Sequence, residues 1–114
     1  MSNNQKYYQI YNILKRLGFR SRLYGTKLLI KAILIVSTQS DYYNIKDIYS
    51  AISLSLKKEN KNISPEEVKS LIYYSINNRK KDISKKNFEN IFGFEYDEYY
   101  FTTKELVEII SILN

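Results

Sequence analysis

The stretch Ser64-Pro65-Glu66-Glu67-Val68-Lys69-Ser70-Leu71-Ile72-Tyr73-Tyr74-Ser75-Ile76-Asn77-Asn78-Arg79 opens on the sharpest helix-start signal in the chain. The Ser64 hydroxyl can accept from the Glu67 backbone N–H while the Glu67 side chain reaches back to the Ser64 N–H, a reciprocal capping box. Pro65 falls at the first helical position, where a missing N–H costs nothing. Beyond the cap, Val68, Leu71, Ile72 and Ile76 form one apolar stripe, while Lys69, Ser70, Tyr73, Asn77 and Arg79 point elsewhere. The spacing predicts a helix with a hard start, a core-facing stripe and a polar outer face that ends in basic residues.

Upstream, Ile45, Ile48, Tyr49, Ile52 and Leu56 describe an amphipathic helix that fades into the polar run KKENKN. Ser37 to Asn44 is polar and turn-like. Before it, TKLLIKAILIVS is apolar on nearly every side and predicts a buried central helix opening at Gly25 and Thr26. Tyr7, Ile10, Tyr11, Leu14 and Leu17 mark a first helix ending at Gly18. Downstream, a short fifth helix from about Ser84 carries Phe88, Ile91 and Phe92 and stops at Gly93. FEYDEYYFTT reads either as an extended excursion or as a short wing-like hairpin. Thr102 to Glu105 repeats the capping-box spacing and launches a last helix with Leu106, Ile109, Ile110 and Leu113 inward. The expectation is an all-α, six-helix domain without internal repeats.

Composition restricts what such a domain can do. The 114 residues, with one proline, three glycines and 44% hydrophobic residues, suit a single domain over residues 1–114. No cysteine and no histidine are present, which removes disulfides, soft metal ligands and the usual general bases. No Gly-rich phosphate loop and no carboxylate pair at metal spacing appears, so no enzyme, cofactor or small-molecule substrate is expected. The opening MSNNQKYYQI has no apolar core of a secretion signal, and the longest apolar stretch, Leu28 to Val36, is short and holds Lys31. A cytoplasmic protein without a membrane partner follows as the expectation.

The net charge of +6 is unevenly spread. No acidic residue precedes Asp41, whereas Lys6, Lys15, Arg16, Arg20, Arg22, Lys27 and Lys31 do. Arg79, Lys80, Lys81, Lys85 and Lys86 form a second basic cluster, interrupted only by Asp82. Past it Glu89, Glu95, Asp97, Glu98, Glu105 and Glu108 face a single Lys104. One basic face and one acidic face suit a polyanion, and no helix has the aromatic-anchored basic face of a membrane-surface binder. Part of the Lys and Tyr excess is what A/T-rich codons produce.

Two consecutive helices, the second hard-capped and polar outside, follow the helix-turn-helix plan, in which the second helix enters the major groove of double-stranded DNA. Lys69, Ser70, Tyr73 and Asn77 are then the candidate base contacts. Tyr74 belongs with them or turns toward the core. Arg79, Lys80 and Lys81 are candidate phosphate contacts. Arg20 and Arg22, with Lys27 in the same acid-free leader, are candidates for phosphate or for an A/T-rich minor groove. Glu67 reads as a cap, and the acidic-aromatic run Glu95 to Phe101 suits another protein chain or solvent.

In this order the residues resemble the C-terminal DNA-binding effector domain of the stage-zero sporulation response regulator family, from about Ile10 to Leu113. Gly18, Gly25, Leu29, Ala32 and Ile33 match its Gly, its second Gly and its Leu-x-x-Ala-Ile helix. Ser64 followed by Val68, Ile72 and Ile76 matches its capped Val-x-x-x-Ile-x-x-x-Ile helix. Ile91-Phe92-Gly93-Phe94 matches its Leu-Phe-Gly-Tyr, and Thr102-Thr103-Lys104-Glu105-Leu106 its closing helix. The resemblance implies a helix-turn-helix fold whose fourth helix is the recognition helix. The connection around Lys57 to Asn62 is about five residues longer than the family's, and no preceding receiver domain is expected. Where the family reads bases with Arg, Glu, Arg, Arg and His, this chain has Glu67, Lys69, Ser70, Tyr73 and Tyr74, so the family's target sequence does not transfer. Expected functions are a standalone transcription regulator or a plasmid or phage DNA-site factor, working as a homodimer or as paired copies. The alternative is a protein-interaction module that keeps the fold without DNA binding.

Overall fold

The computed structural model describes residues 3–38 and 43–113, so residues 39–42 of the expected Ser37–Asn44 turn lie outside the described set. Six α-helices are present among the described residues: α1 (Asn3–Arg16), α2 (Tyr24–Ser37), α3 (Ile45–Lys58), α4 (Pro65–Asn77), α5 (Lys81–Phe92) and α6 (Thr103–Leu113). A 3-10 turn, Glu98–Phe101, precedes α6.

The chemistry of the helix ends explains these boundaries. α1 stops at a Schellman motif: Gly18 sits at φ 90° while Phe19 N donates to Leu14 O and Gly18 N to Lys15 O. α3 stops the same way with Asn60 at φ 64°, Lys61 N donating to Leu56 O and Asn60 N to Lys57 O. The polar run KKENKN is therefore a defined stop rather than a gradual fading. The Ser53 hydroxyl then donates to Ile63 O, tying the connection back to α3. α4 opens on the expected box, with Glu67 N donating to Ser64 Oγ and Ser64 N to Glu67 Oε1.

α2 is the central element and packs against α1, α3, α4 and α6. Leu28, Leu29, Ile30, Ala32 and Ile33 are fully buried, and each large apolar side chain removed from water contributes about 1.5–3 kcal/mol. The tightest contact is between α2 and α4. A Cβ on Gly25 would lie 1.9 Å from Leu71 O, so only glycine lets the two helices approach this closely. Beside it, the buried hydroxyls of Thr26 and Ser75 hydrogen-bond across the same interface, leaving neither unsatisfied.

Three further expectations change. α5 begins at Lys81 rather than near Ser84, because Ile83 N and Ser84 N both donate to Lys80 O without any side-chain cap to announce the start. The segment from Phe94 forms no wing-like hairpin; Asp97 accepts from Tyr99 N and folds the chain into the 3-10 turn, whose Phe101 joins the core. Leu113 is exposed, since α6 runs past the core at its last turn, where Ile112 is exposed too.

Candidate nucleic-acid interface

α4 turns Val68, Ile72, Ser75 and Ile76 inward and leaves its other face in solvent. Lys69, Ser70, Tyr73, Tyr74 and Asn77 are all exposed on that face and, together with Asn78, line one shallow concavity. The two tyrosine rings are 62% and 55% exposed, so Tyr74 points to water with Tyr73 rather than to the core. No hydrogen bond or ion pair joins the side chains of Lys69, Ser70, Tyr73, Tyr74 or Asn77 to another described residue. Asn78 differs: its Nδ2 donates to Tyr74 O, and it closes the helix instead of facing outward. Glu67 is engaged in the capping box.

The basic cluster after α4 does not form one surface. Arg79, expected as a phosphate contact, is only 5% exposed. Its guanidinium donates to Ile76 O, Ser84 Oγ, the Tyr96 hydroxyl and both carboxylate oxygens of Glu98, and lies 3.7 Å from the Phe101 ring centroid. All three of its nitrogens are engaged inside the protein, so Arg79 serves as a structural residue rather than a phosphate ligand. Lys81 is exposed but leans toward the same carboxylate, 3.9 Å from Glu98 Oε1. The Lys85 ammonium sits 5.9 Å from the Tyr96 ring centroid. Burial pushes the Glu98 carboxyl upward, but the hydrogen bonds from Tyr96 and Arg79 and the Arg79 and Lys81 charges outweigh it and hold the group below its usual value. Lys80, by contrast, faces away from this cluster, toward the leader.

The leader between α1 and α2 is not a free arm. Arg16 O accepts from Asn87 Nδ2 at 2.7 Å, Leu17 O from the Ser84 hydroxyl, and Gly18 O from Lys80 N at 2.8 Å. Arg20 O accepts from Thr26 Oγ1, and Arg20 Nε donates to Asn78 O at 2.9 Å. A Cβ on Gly18 would come within 2.3 Å of Lys80 O, so this docking requires glycine both for its positive φ and for its lack of a side chain. The consequence is contiguity: Asn78 touches both the α4 concavity and Arg20. Arg20 and Arg22 line a second concavity with Lys15 and Lys80. Lys27 is exposed on the first turn of α2 and lines neither.

In the sequence Lys15 stands out only as one of the leader cations. Its partnership with Lys80, 65 positions away, has no local signature, because it arises from the Gly18–Lys80 backbone hydrogen bond. No family model, curated protein or solved structure matches this chain.

Proposed function

We propose that the protein binds double-stranded DNA with α4 as the reading helix, in the manner of a helix-turn-helix transcription regulator or DNA-site accessory factor. The observation that carries this reading is the outward face of α4. It keeps two large aromatic rings, a lysine and an asparagine in water with no partner of their own, next to a cationic concavity. Side chains left in this state at the surface of a well-capped helix have the chemistry of groove readers. Asn pairs with adenine N6 and N7, Lys with guanine, and an aromatic ring with a thymine methyl group. The resemblance to the sporulation-regulator effector family supports the same assignment of the fourth helix, while its replaced reading residues call for a different target sequence.

Duplex selection from random sequence, followed by affinity measurement for single-base variants, tests the reading. Replacing Lys69, Ser70 and Tyr73 together by Ala should cost roughly 1–3 kcal/mol per lost base contact and relax discrimination at those positions. An unchanged preference in this variant removes α4 as the reader. Failure of the wild-type chain to bind any duplex at low salt favours a protein-interaction module instead.

A further inference from the structure

The open notch between the α1–α2 leader and the start of α5 encloses about 410 Å³ and brings together Lys15, Arg20, Arg22 and Lys80. No carboxylate lines it, and none of these four cations belongs to an ion pair among the described residues. Asp82, the nearest acidic residue in sequence, is on the first turn of α5 but outside the lining. Four like charges lining one concavity repel each other, and a polyanion bound there would relieve that repulsion.

We propose that this notch is a phosphate site, and that the phosphate it takes is a backbone phosphate of the duplex read by α4. The assignment rests on the DNA-binding reading for the source of the phosphate, but its chemistry does not. The backbone beside the notch is pinned, since carbonyls 16, 17 and 18 are each bonded to α5 or its cap residue and Arg20 is held by Asn78 O. The cations therefore bind without first ordering a loop, which lowers the entropic cost of association. Arg20 holds the end of α4 with Nε and keeps its terminal nitrogens for the ligand, so a phosphate bound here sets the register of α4 on the groove. This places phosphate anchoring on Lys15, Arg20, Arg22 and Lys80, replacing the assignment to Arg79.

The test uses the full chain and leaves Arg20 intact because of its structural bond. One variant combines Lys15→Gln, Arg22→Gln and Lys80→Gln; a charge-matched control combines Lys85→Gln, Lys86→Gln and Lys104→Gln. All six side chains are exposed, and thermal unfolding confirms that both variants fold. Binding to mixed-sequence duplex is measured across salt concentrations. Separately, amide NMR shifts are followed during titration with inorganic pyrophosphate. The notch variant should show a salt slope shallower by at least about 0.9, the share of one phosphate, with the control less affected. In the wild type, pyrophosphate should shift the amides of residues 18–23 and 80–83 saturably, and in the notch variant it should not. Equal slopes for notch variant and wild type, or equal losses for notch variant and control, overturn the site while leaving duplex binding intact. Saturable pyrophosphate shifts without any duplex binding keep the phosphate site, assign it to a free phosphorylated ligand and overturn the DNA reading. No response to either ligand overturns both.

Discussion

Arg79 at the end of α4 donates from Nη2 to both carboxylate oxygens of Glu98, each at 2.9 Å, and so ties the helix to the 3-10 turn nineteen residues later. The Arg79 side chain is 1% exposed and that of Glu98 54%, so the pair is half buried: the cation is inside and the anion reaches in from solvent. Replacing Arg79 by Ala removes the guanidinium from Ile76 O, Ser84 Oγ, Tyr96, Glu98 and Phe101 at once. It should lower stability by about 3 kcal/mol, measured as a urea midpoint. Lys at this position keeps the charge but not the planar fork and should recover only a minor part. The salt slope of DNA binding by the folded Ala variant should stay at the wild-type value.

Glu98 gives the fold a pH dependence of known sign. Its carboxyl is held below the usual 4.5 in the folded state, so its contribution is present above that value and is lost as pH falls through the depressed one. The wild type should exceed Glu98→Gln in thermal stability at neutral pH by on the order of 1 kcal/mol, given the screening of a half-exposed carboxylate. The difference should vanish in acid. A gap that persists unchanged to pH 3 would show that charge plays no part.

Gly25→Ala should separate α2 from α4, because the added methyl meets the Leu71 carbonyl rather than a movable side chain. A loss of at least about 2 kcal/mol is expected, toward the upper range for overpacking. Near-UV circular dichroism and denaturant titration would register it. A neutral outcome would mean that the two helices can slide apart without penalty.

The turn ahead of α4 is stabilised at both ends. Asn60→Ala should cost about 1 kcal/mol through its left-handed backbone, whereas Asn60→Gly should not. Ser64→Ala should cost about 1 kcal/mol through the lost cap. The effects should be additive within a few tenths of a kcal/mol if the two caps act independently.

On the proposed DNA-binding reading, a single module of this size buries roughly 600–1,000 Å² of its own surface, at the low end for specific recognition. Two copies on paired half-sites are therefore expected at saturation, and sedimentation of the complex counts them. A strict one-to-one complex on a selected site would contradict this.

The local code of the chain determined its helices and their inward faces. The capping box at Ser64, the stripe Val68–Ile72–Ile76 and the apolar segment Leu28–Val36 depend on neighbours within a turn or two, and such information is carried by spacing alone. The exposed face of α4 was legible for the same reason, down to Lys69, Ser70, Tyr73 and Asn77. What tertiary structure decided is the allocation of the cations. Arg79 and Lys80 are adjacent in sequence, yet one is buried against Glu98 and Phe101 while the other completes a notch with Lys15, Arg20 and Arg22. That division depends on contacts between distant positions, the Arg79–Glu98 pair and the Gly18–Lys80 backbone bond. Charge composition specifies how many cations a surface has, but only the packing of distant backbone segments selects which are neutralised inside and which are left to meet an anion.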